Sequence, residues 1–421
     1  MSSLDYSAHG APQAAGALGD LNRLRRLARV WIAAACVVYV VDLLRQTRLG
    51  LTDGVQRPLG DDFINYWSGA AVALQGHAAR AYDFLGFHAF EQSVVGPTLD
   101  LYHYSYPPVM LLLTLPLALL PYVPALGLWL IGTWYAFYRA LKAASGEGVL
   151  LLALATPAVF INAMLGQNGA LTAALLGGGL VLLERRPVLA GMLFGLLAFK
   201  PHLALMLPVA LLAGRQWRAL VSSGVTVLML VAASVIAFGL EPWTDYLRNL
   251  PILRVAILED STDIWRLMVS VFVFARRFGA SLELAYGCQA VSAIIATSVV
   301  AWSWWRDHPR HIRYALLIVG TWLAIPYLQH YDLVVGAFVV VWLHTEERRP
   351  QAPVAWIRAA MAAVLLLPLV AASIGKNTDL TFGPPFLIPV FALLVRLAVG
   401  YDRAQRQAGK ALTFANEPAA N

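Results

Sequence analysis

Charged residues are scarce in this chain of 421 residues, because only 13% are Asp, Glu, Lys or Arg. An average soluble domain has roughly 25% charged residues. Since 59% of the residues are apolar and the mean hydropathy is +0.65, a soluble fold would lack the charges to cover its apolar surface. This shortage excludes a cytosolic enzyme, a secreted disulfide-rich domain and a disordered chain.

Cysteine and the common catalytic motifs are also nearly absent. The two cysteines, Cys36 and Cys288, lie in apolar runs, so neither a disulfide framework nor a zinc site is expected. The sequence has no Walker A motif, no GxSxG, no HExxH and no glycine-rich dinucleotide fingerprint. These absences argue against a nucleotide-driven pump and against a nucleotide-sugar enzyme of the usual soluble folds.

The chain contains instead a long series of apolar runs, which predict an all-α, polytopic membrane protein with about 12–13 membrane segments. The first run, 30–44, follows four arginines and is typical of an uncleaved signal-anchor. Several later runs are short and contain proline or glycine, which is tolerated at membrane depth where the backbone packs against protein. The short run 107–121 is therefore expected to be a re-entrant or surface piece.

Basic clusters between the runs predict the topology. Lys and Arg number 31 against 24 Asp and Glu, and their placement in short clusters indicates membrane orientation rather than nucleic-acid binding. We expect the cytoplasmic (inner) membrane, with the N-terminus in the cytoplasm and the active site on the outer face. The predicted domains are a disordered cytoplasmic segment 1–22, one transmembrane domain 23–403 with an external catalytic loop 45–106, and a cytoplasmic tail 404–421.

The loop 45–106 contains the first candidate for chemistry. Two amphipathic stretches, 64–74 and 82–94, predict short helices on the membrane surface. Asp61 and Asp62 stand directly before the first of them. A carboxylate at that place can act as a general base toward a sugar or lipid hydroxyl. The alternative is that the two acids cap the helix that begins near Phe63.

Other polar residues are expected on the same outer face, and each has a structural alternative. Tyrosines before a double proline either stack on a sugar or belong to an interfacial aromatic belt. A lysine that follows ten apolar residues either holds a lipid phosphate or snorkels to the interface. The polar turn and the histidine at later helix ends either bind substrate or cap helices, and external arginines indicate an anionic ligand. These candidates for substrate binding are Tyr66, Tyr104, Tyr106, Gln167, Asn168, Lys200, His202, Arg254 and His330.

Taken in order, these motifs resemble glycosyltransferase family 87. The motifs are Asp62-Phe63-x-x-Tyr66-Trp67, Ala81-Tyr82-Asp83, Tyr104-x-Tyr106-Pro107-Pro108, Gly166-Gln167-Asn168, Lys200-Pro201 with Trp217-Arg218 after it, and His330-Tyr331. Their order and spacing extend from Asp61 to Asp332. The resemblance implies the GT-C membrane fold and a relation to polyprenyl-phosphate-mannose-dependent mannosyltransferases.

The resemblance further implies an inverting transfer of a hexose such as mannose from a polyprenyl-phosphate sugar to a lipid or glycan hydroxyl. The catalytic aspartate of the family follows the first transmembrane helix, and Asp62 matches it, with Asp61 as the second candidate. Membrane lipids are expected partners and nucleic acid is not. No cofactor is certain, and a divalent metal stays an open alternative for which the sequence offers no clear ligand set beyond the two aspartates.

Two other functions compete with the enzyme. A transporter or flippase of polyprenyl lipids predicts an internal repeat and polar residues on both faces of the membrane. The sequence has no convincing repeat and its polar motifs are one-sided, which favours the enzyme. A non-catalytic assembly protein that binds prenyl lipids would share the motifs, and only an activity assay separates it from the enzyme.

Overall fold

The structure is a computed structural model that describes residues 11–146, 148–260, 262–350, 352–378 and 380–415. Within these ranges helices, turns and two isolated β-bridges form the backbone, and no β-strand is present. The all-α prediction is therefore confirmed. The predicted disordered segment 1–22 and tail 404–421 lie partly outside the described residues, and the domain boundaries stay a prediction.

The helices follow one another with short connections. In chain order they are α1 Ala11–Gln46, α2 Phe63–Leu74, α3 Phe84–Val95, α4 Pro108–Thr114, α5 Tyr122–Ser145, α6 Leu150–Ala155, α7 Pro157–Met164, α8 Gly169–Leu182, α9 Pro187–Leu196, α10 Met206–Ala213, α11 Trp217–Phe238, α12 Glu241–Leu253, α13 Thr262–Trp265, α14 Val271–Arg277, α15 Leu282–Trp305, α16 Arg310–Ala324, α17 Gly336–Glu347, α18 Val354–Thr378 and α19 Gly383–Ala415. Tighter 3-10 turns occupy Ala78–Tyr82, Leu115–Leu119, Leu197–Phe199, Pro201–Ala204 and His330–Val335, and a π-helical turn occupies Arg254–Glu259.

Five of the described helices are long and apolar enough to cross a membrane, namely α1, α11, α15, α18 and α19. Less than half of each apolar window is buried inside the protein. An apolar helix surface that the protein does not cover needs lipid around it. The chain is therefore a multi-pass membrane protein, while the total of 12–13 segments stays a prediction.

Several apolar stretches are too short to cross a bilayer alone, since a straight crossing needs about 20 residues. They include Pro108–Leu119, Gly169–Leu182, Pro187–Phe199 and Pro201–Ala213. The first of these corresponds to the run 107–121, for which a re-entrant or surface piece was expected. In it, α4 gives way to a 3-10 turn at Leu115.

Close packing around α8 forms the centre of the protein. A Cβ at Gly177 would stand 2.3 Å from the ring of Phe338, and one at Gly179 would stand 2.3 Å from the ring of Phe194. Only glycine allows these rings of α17 and α9 to approach so closely. The helix begins at Gly169, directly after the polar pair Gln167-Asn168, so its packing fixes the position of that pair.

The predicted surface helices of the first loop are confirmed as helices. The stretches 64–74 and 82–94 correspond to α2 and α3 within one or two residues. Most of α2 is buried, from Phe63 to Ala73, because it packs against α3, α4 and the turns beside it. The first loop is thus a folded part of the protein and can hold a side chain in a fixed place.

Candidate functional site

The turn before α2 separates the two aspartates. Gly60 has a φ of 76° and Asp61 a φ of 49°, both in the left-handed region. Aspartate tolerates this region better than most residues. The reversal sends the side chains of Asp61 and Asp62 in different directions. Asp62 makes no side-chain capping hydrogen bond to α2, so the capping alternative does not describe it.

Asp61 is held by the loop itself. Its Oδ2 accepts hydrogen bonds from Arg57 Nε at 2.9 Å and Arg57 Nη2 at 2.6 Å, and its Oδ1 accepts one from the Tyr102 hydroxyl at 2.6 Å. Arg57 also donates to Asp42 of α1 at 3.2 Å. Both oxygens of Asp61 are therefore occupied, and the residue ties the first loop to α1.

Asp62 is bound on one oxygen only. Its Oδ2 accepts a hydrogen bond of 2.7 Å from Gln167 Nε2, while Oδ1 accepts none from the described residues and keeps accessible surface. Protein surrounds the partly exposed carboxyl, and this burial, together with the charge of Asp61, raises its pKa to about 7. The Gln167 hydrogen bond and the charges of Lys200 and Arg57 act in the opposite direction.

The Gly166 turn lies directly against the aspartate loop. Gly166 has a φ of 56°, and a Cβ there would stand 2.1 Å from the carbonyl oxygen of Gly60. Trp129 Nε1 donates to the Gly166 carbonyl at 3.0 Å. Glycine is needed both for the backbone conformation and for this approach. The contact brings Gln167, which is 105 residues away in sequence, to Asp62.

Two tyrosines and two amides continue the polar network. Tyr66 donates to Gln167 Oε1 at 2.7 Å, and Asn168 Nδ2 donates to the hydroxyls of Tyr66 at 2.8 Å and Tyr106 at 3.0 Å. The two hydroxyls are 2.9 Å apart. These residues come from α2, the segment before α4 and the turn before α8. The structure therefore unites Asp62, Tyr66, Tyr106, Gln167 and Asn168, all of which the sequence nominated.

A buried ion pair closes the network. Lys200, only 2% exposed, donates to Asn168 Oδ1 at 3.0 Å and to Asp332 Oδ1 at 2.5 Å. Its ammonium also stands 4.8 Å from the ring centre of Tyr331. The other oxygen of Asp332 accepts from the backbone nitrogen of Gln329 at 3.3 Å. Lys200 thus points into the protein rather than snorkelling to an interface.

The remaining candidates are distributed around this network. Tyr104 is buried among aromatic rings with no hydrogen-bond partner for its hydroxyl among the described residues. His330 is buried and His202 is half-buried, and the ring of His202 meets that of Tyr327 edge-on with ring centres 5.5 Å apart. His202 Nε2 and His330 Nδ1 are buried without a partner among the described residues. Arg254 is exposed on the π-helical turn, where it pairs with Glu259 at 3.1 Å.

Sequence reasoning missed two carboxyl groups of this region. Asp332, two residues after His330 in the sequence, forms its ion pair with Lys200. Glu91 was not singled out, although it is fully buried. The buried face of α3 consists of Phe87, Glu91 and Val95. This spacing of four residues, readable in the sequence, places Glu91 on the inner face of the helix.

Among the side chains that the structure describes, no group of three or more His, Cys, Asp or Glu residues is arranged to hold a metal ion. Asp61, the other candidate metal ligand beside Asp62, accepts hydrogen bonds from Arg57 and Tyr102 on its two carboxylate oxygens.

Comparison with known proteins gives one match. The sequence model of glycosyltransferase family 87 matches residues 104–326, just over half of the chain. This range contains Tyr104, Tyr106, Gln167, Asn168, Lys200, His202 and Arg254, and leaves Asp61, Asp62, Tyr66 and His330 outside. No curated protein and no solved structure matches the chain.

Proposed function

Since the chain belongs to glycosyltransferase family 87, and is thus a membrane glycosyltransferase, we propose that it transfers a hexose such as mannose from a polyprenyl-phosphate donor. The acceptor is a hydroxyl group of a lipid or glycan, and the reaction takes place at the outer face of the cytoplasmic membrane with inversion at the sugar. The basic clusters of the sequence support this orientation.

One observation carries the proposal: Asp62 presents an unoccupied carboxylate oxygen at the edge of a buried polar network. A general base needs a free lone pair and a pKa near the working pH. The pKa of Asp62, raised to about 7 by burial, meets the second requirement. Asp61 offers no free oxygen because Arg57 and Tyr102 occupy both. The base is therefore assigned to Asp62, and Asp61 holds the loop.

In this mechanism the acceptor oxygen attacks the anomeric carbon of the sugar from the face opposite the prenyl phosphate. The bond from that carbon to the phosphate oxygen breaks, and the acceptor proton passes to Asp62 Oδ1. The leaving group is already an anion of a strong acid, so it needs charge stabilisation rather than a strong general acid. His202, His330 and the exposed Arg254 are the proposed contacts for donor phosphate, and Tyr104 and Tyr106 are those for the sugar.

The experiment is transfer by the purified protein in detergent, with radiolabelled polyprenyl-phosphate mannose and a lipid extract as acceptor. We expect Asp62→Asn to lower turnover about 10²–10⁴-fold, because it removes the base and keeps the shape. The matched control is Asp61→Asn, which removes the neighbouring carboxylate and should lower turnover far less.

The contradicting outcomes are distinct. Wild-type turnover of Asp62→Asn with an inactive Asp61→Asn would move the base to Asp61. Full activity of both variants would place the base outside this loop. Donor binding by the wild type without transfer to any acceptor would favour the non-catalytic lipid-binding function.

A further inference from the structure

The buried pair Lys200–Asp332 calls for a functional explanation. Both side chains are at most 2% exposed and their charged atoms are 2.5 Å apart. A buried ion pair is often no more stabilising than apolar residues of the same size, because both charges lose their hydration. A contribution to stability alone therefore does not explain why a lysine and an aspartate that are 132 residues apart in sequence are buried as a pair.

The hydrogen-bond directions in the network follow from the lysine. An ammonium group can only donate, so the amide of Asn168 must turn its Oδ1 to Lys200 and its Nδ2 to Tyr66 and Tyr106. Because Tyr66 accepts from Asn168, its own hydrogen is directed to Gln167 Oε1. The amide of Gln167 is then oriented with Nε2 toward Asp62.

Two further contacts agree with this orientation. The backbone nitrogen of Asn168, which can only donate, lies 3.3 Å from Gln167 Oε1. The hydroxyl of Tyr106 lies 3.4 Å from the same oxygen. Every donor along the path therefore points from Lys200 toward Asp62, and hydrogen bonds aligned in this way strengthen one another.

The opposite orientation of the Asn168 amide would change the protonation state that is favoured at Asp62. If the Asn168 amide turned over, Tyr66 would donate to Asn168 and leave Gln167 Oε1 without its shortest hydrogen bond. Gln167 could then turn its oxygen to Asp62, which accommodates a protonated carboxyl and repels a carboxylate. An amide nitrogen at this place favours the ionised, proton-accepting form instead.

On this basis, and resting on the proposed role of Asp62, we propose that Lys200 and Asp332 are positioning residues that keep Asp62 ionised through Asn168, Tyr66 and Gln167. Asp332 holds the ammonium in place, and Lys200 fixes the direction of the hydrogen-bond chain. Neither residue is required to contact the sugar or the donor phosphate.

Several titratable groups interact electrostatically with Asp62, and the test must separate Lys200 from them. They are Arg57, Asp61, Tyr66, Glu91, Tyr102, Tyr106, Lys200, Tyr327 and Tyr331. The Lys200 variants below change only Lys200 and its partner among these charged groups.

The test is the dependence of kcat on pH for Lys200→Met and for the double variant Lys200→Met/Asp332→Asn, which leaves no unpaired charge. We expect the rise of kcat with pH to move upward by about one pH unit, so that kcat falls about fivefold at pH 7 and recovers near pH 9. KM for the donor should stay within about twofold of the wild type. Arg313→Met is the matched control, because Arg313 is also a buried cation that pairs with carboxylates, Glu184 and Asp307.

Three results would overturn the proposal. A large rise in donor KM with an unmoved pH profile would make Lys200 a phosphate ligand. A double variant with the wild-type pH profile and kcat would leave the pair a structural role only. A pH shift of the same size in Arg313→Met would show that the effect is not specific to the network. If Asp62→Asn is inactive and the double variant keeps the wild-type pH profile, only the positioning role of Lys200 and Asp332 is refuted. If Asp62→Asn is active, the proposed base itself is refuted.

Discussion

Replacement of Glu91 by glutamine should stabilise the protein, and more strongly as the pH rises. Glu91 is fully buried on α3, and neither carboxyl oxygen has a hydrogen-bond partner among the described residues. Burial, together with the charge of Asp62, raises the pKa of Glu91 from 4.5 to about 9. At neutral pH the folded protein therefore holds this carboxyl protonated, while the unfolded chain releases the proton.

The direction of the pH effect follows from that difference. Below pH 4.5 the group is protonated in both states, and its stability contribution is fully present. Between pH 4.5 and about pH 9 the unfolded state binds fewer protons, so stability falls as pH rises. Each pH unit in this window costs about 1.4 kcal/mol, so the loss at pH 7 is roughly 3 kcal/mol.

Glu91→Gln keeps the shape and removes the acid, so it should remove this loss. We expect the thermal unfolding midpoint in detergent to exceed that of the wild type by a few degrees at pH 8, with little difference at pH 5. Glu241→Gln, at an exposed glutamate of α12, is the control and should leave the pH dependence unchanged. Parallel pH curves for the wild type and Glu91→Gln would refute the reasoning, because they would require an ionised Glu91 in the folded protein.

Two further predictions test the placement of the site. Gly166→Ala puts a Cβ 2.1 Å from the Gly60 carbonyl oxygen, at a backbone φ of 56°. We expect at least a ~10-fold loss of transfer, because the turn that contains Gln167 must move away from Asp62. Wild-type activity of this variant would contradict the close packing. In a variant without Cys36 and Cys288, a cysteine replacing the exposed Val55 should react with a membrane-impermeant maleimide in intact cells, and one replacing Arg348 should not. The reverse pattern would invert the proposed topology.

Local patterns in the sequence identified much of the fold. The apolar periodicity of 64–74 and 82–94 predicts α2 and α3, because packing of one helix face requires a repeat near 3.6 residues. The polar motifs around Asp62 and Gln167 also identify residues that meet in the structure. The motifs could not predict which atoms meet, since contacts such as those of Gln167 with Asp62 and of Lys200 with Asp332 join chain segments more than 100 residues apart.

The charged residues Lys200 and Glu91 show most directly which contacts the sequence could not predict. The sequence offered two roles for Lys200, binding a phosphate or snorkelling to the interface, and neither includes a contact with Asp332. That contact depends on how the His330–Val335 turn packs against α8. The spacing of Glu91 from Phe87 and Val95 was a readable signal, but an acid buried without a partner among the described residues contradicts the usual expectation for glutamate. Such exceptions concentrate at functional sites.

Adjacent aspartates with different environments can serve one site in two ways. The left-handed backbone at Asp61 directs its carboxyl to Arg57 and Tyr102, so its charge stays beside Asp62 without competing for a substrate proton. That charge raises the pKa of Asp62 beyond what burial alone does, while Gln167 and the cation of Lys200 limit the increase. A carboxyl that ionises near neutral pH holds protons more tightly than an exposed aspartate and is a stronger base when ionised. In the proposed mechanism the two residues act as a unit in which Asp61 adjusts the basicity of Asp62, which gives the second acid a role although it has no free oxygen of its own.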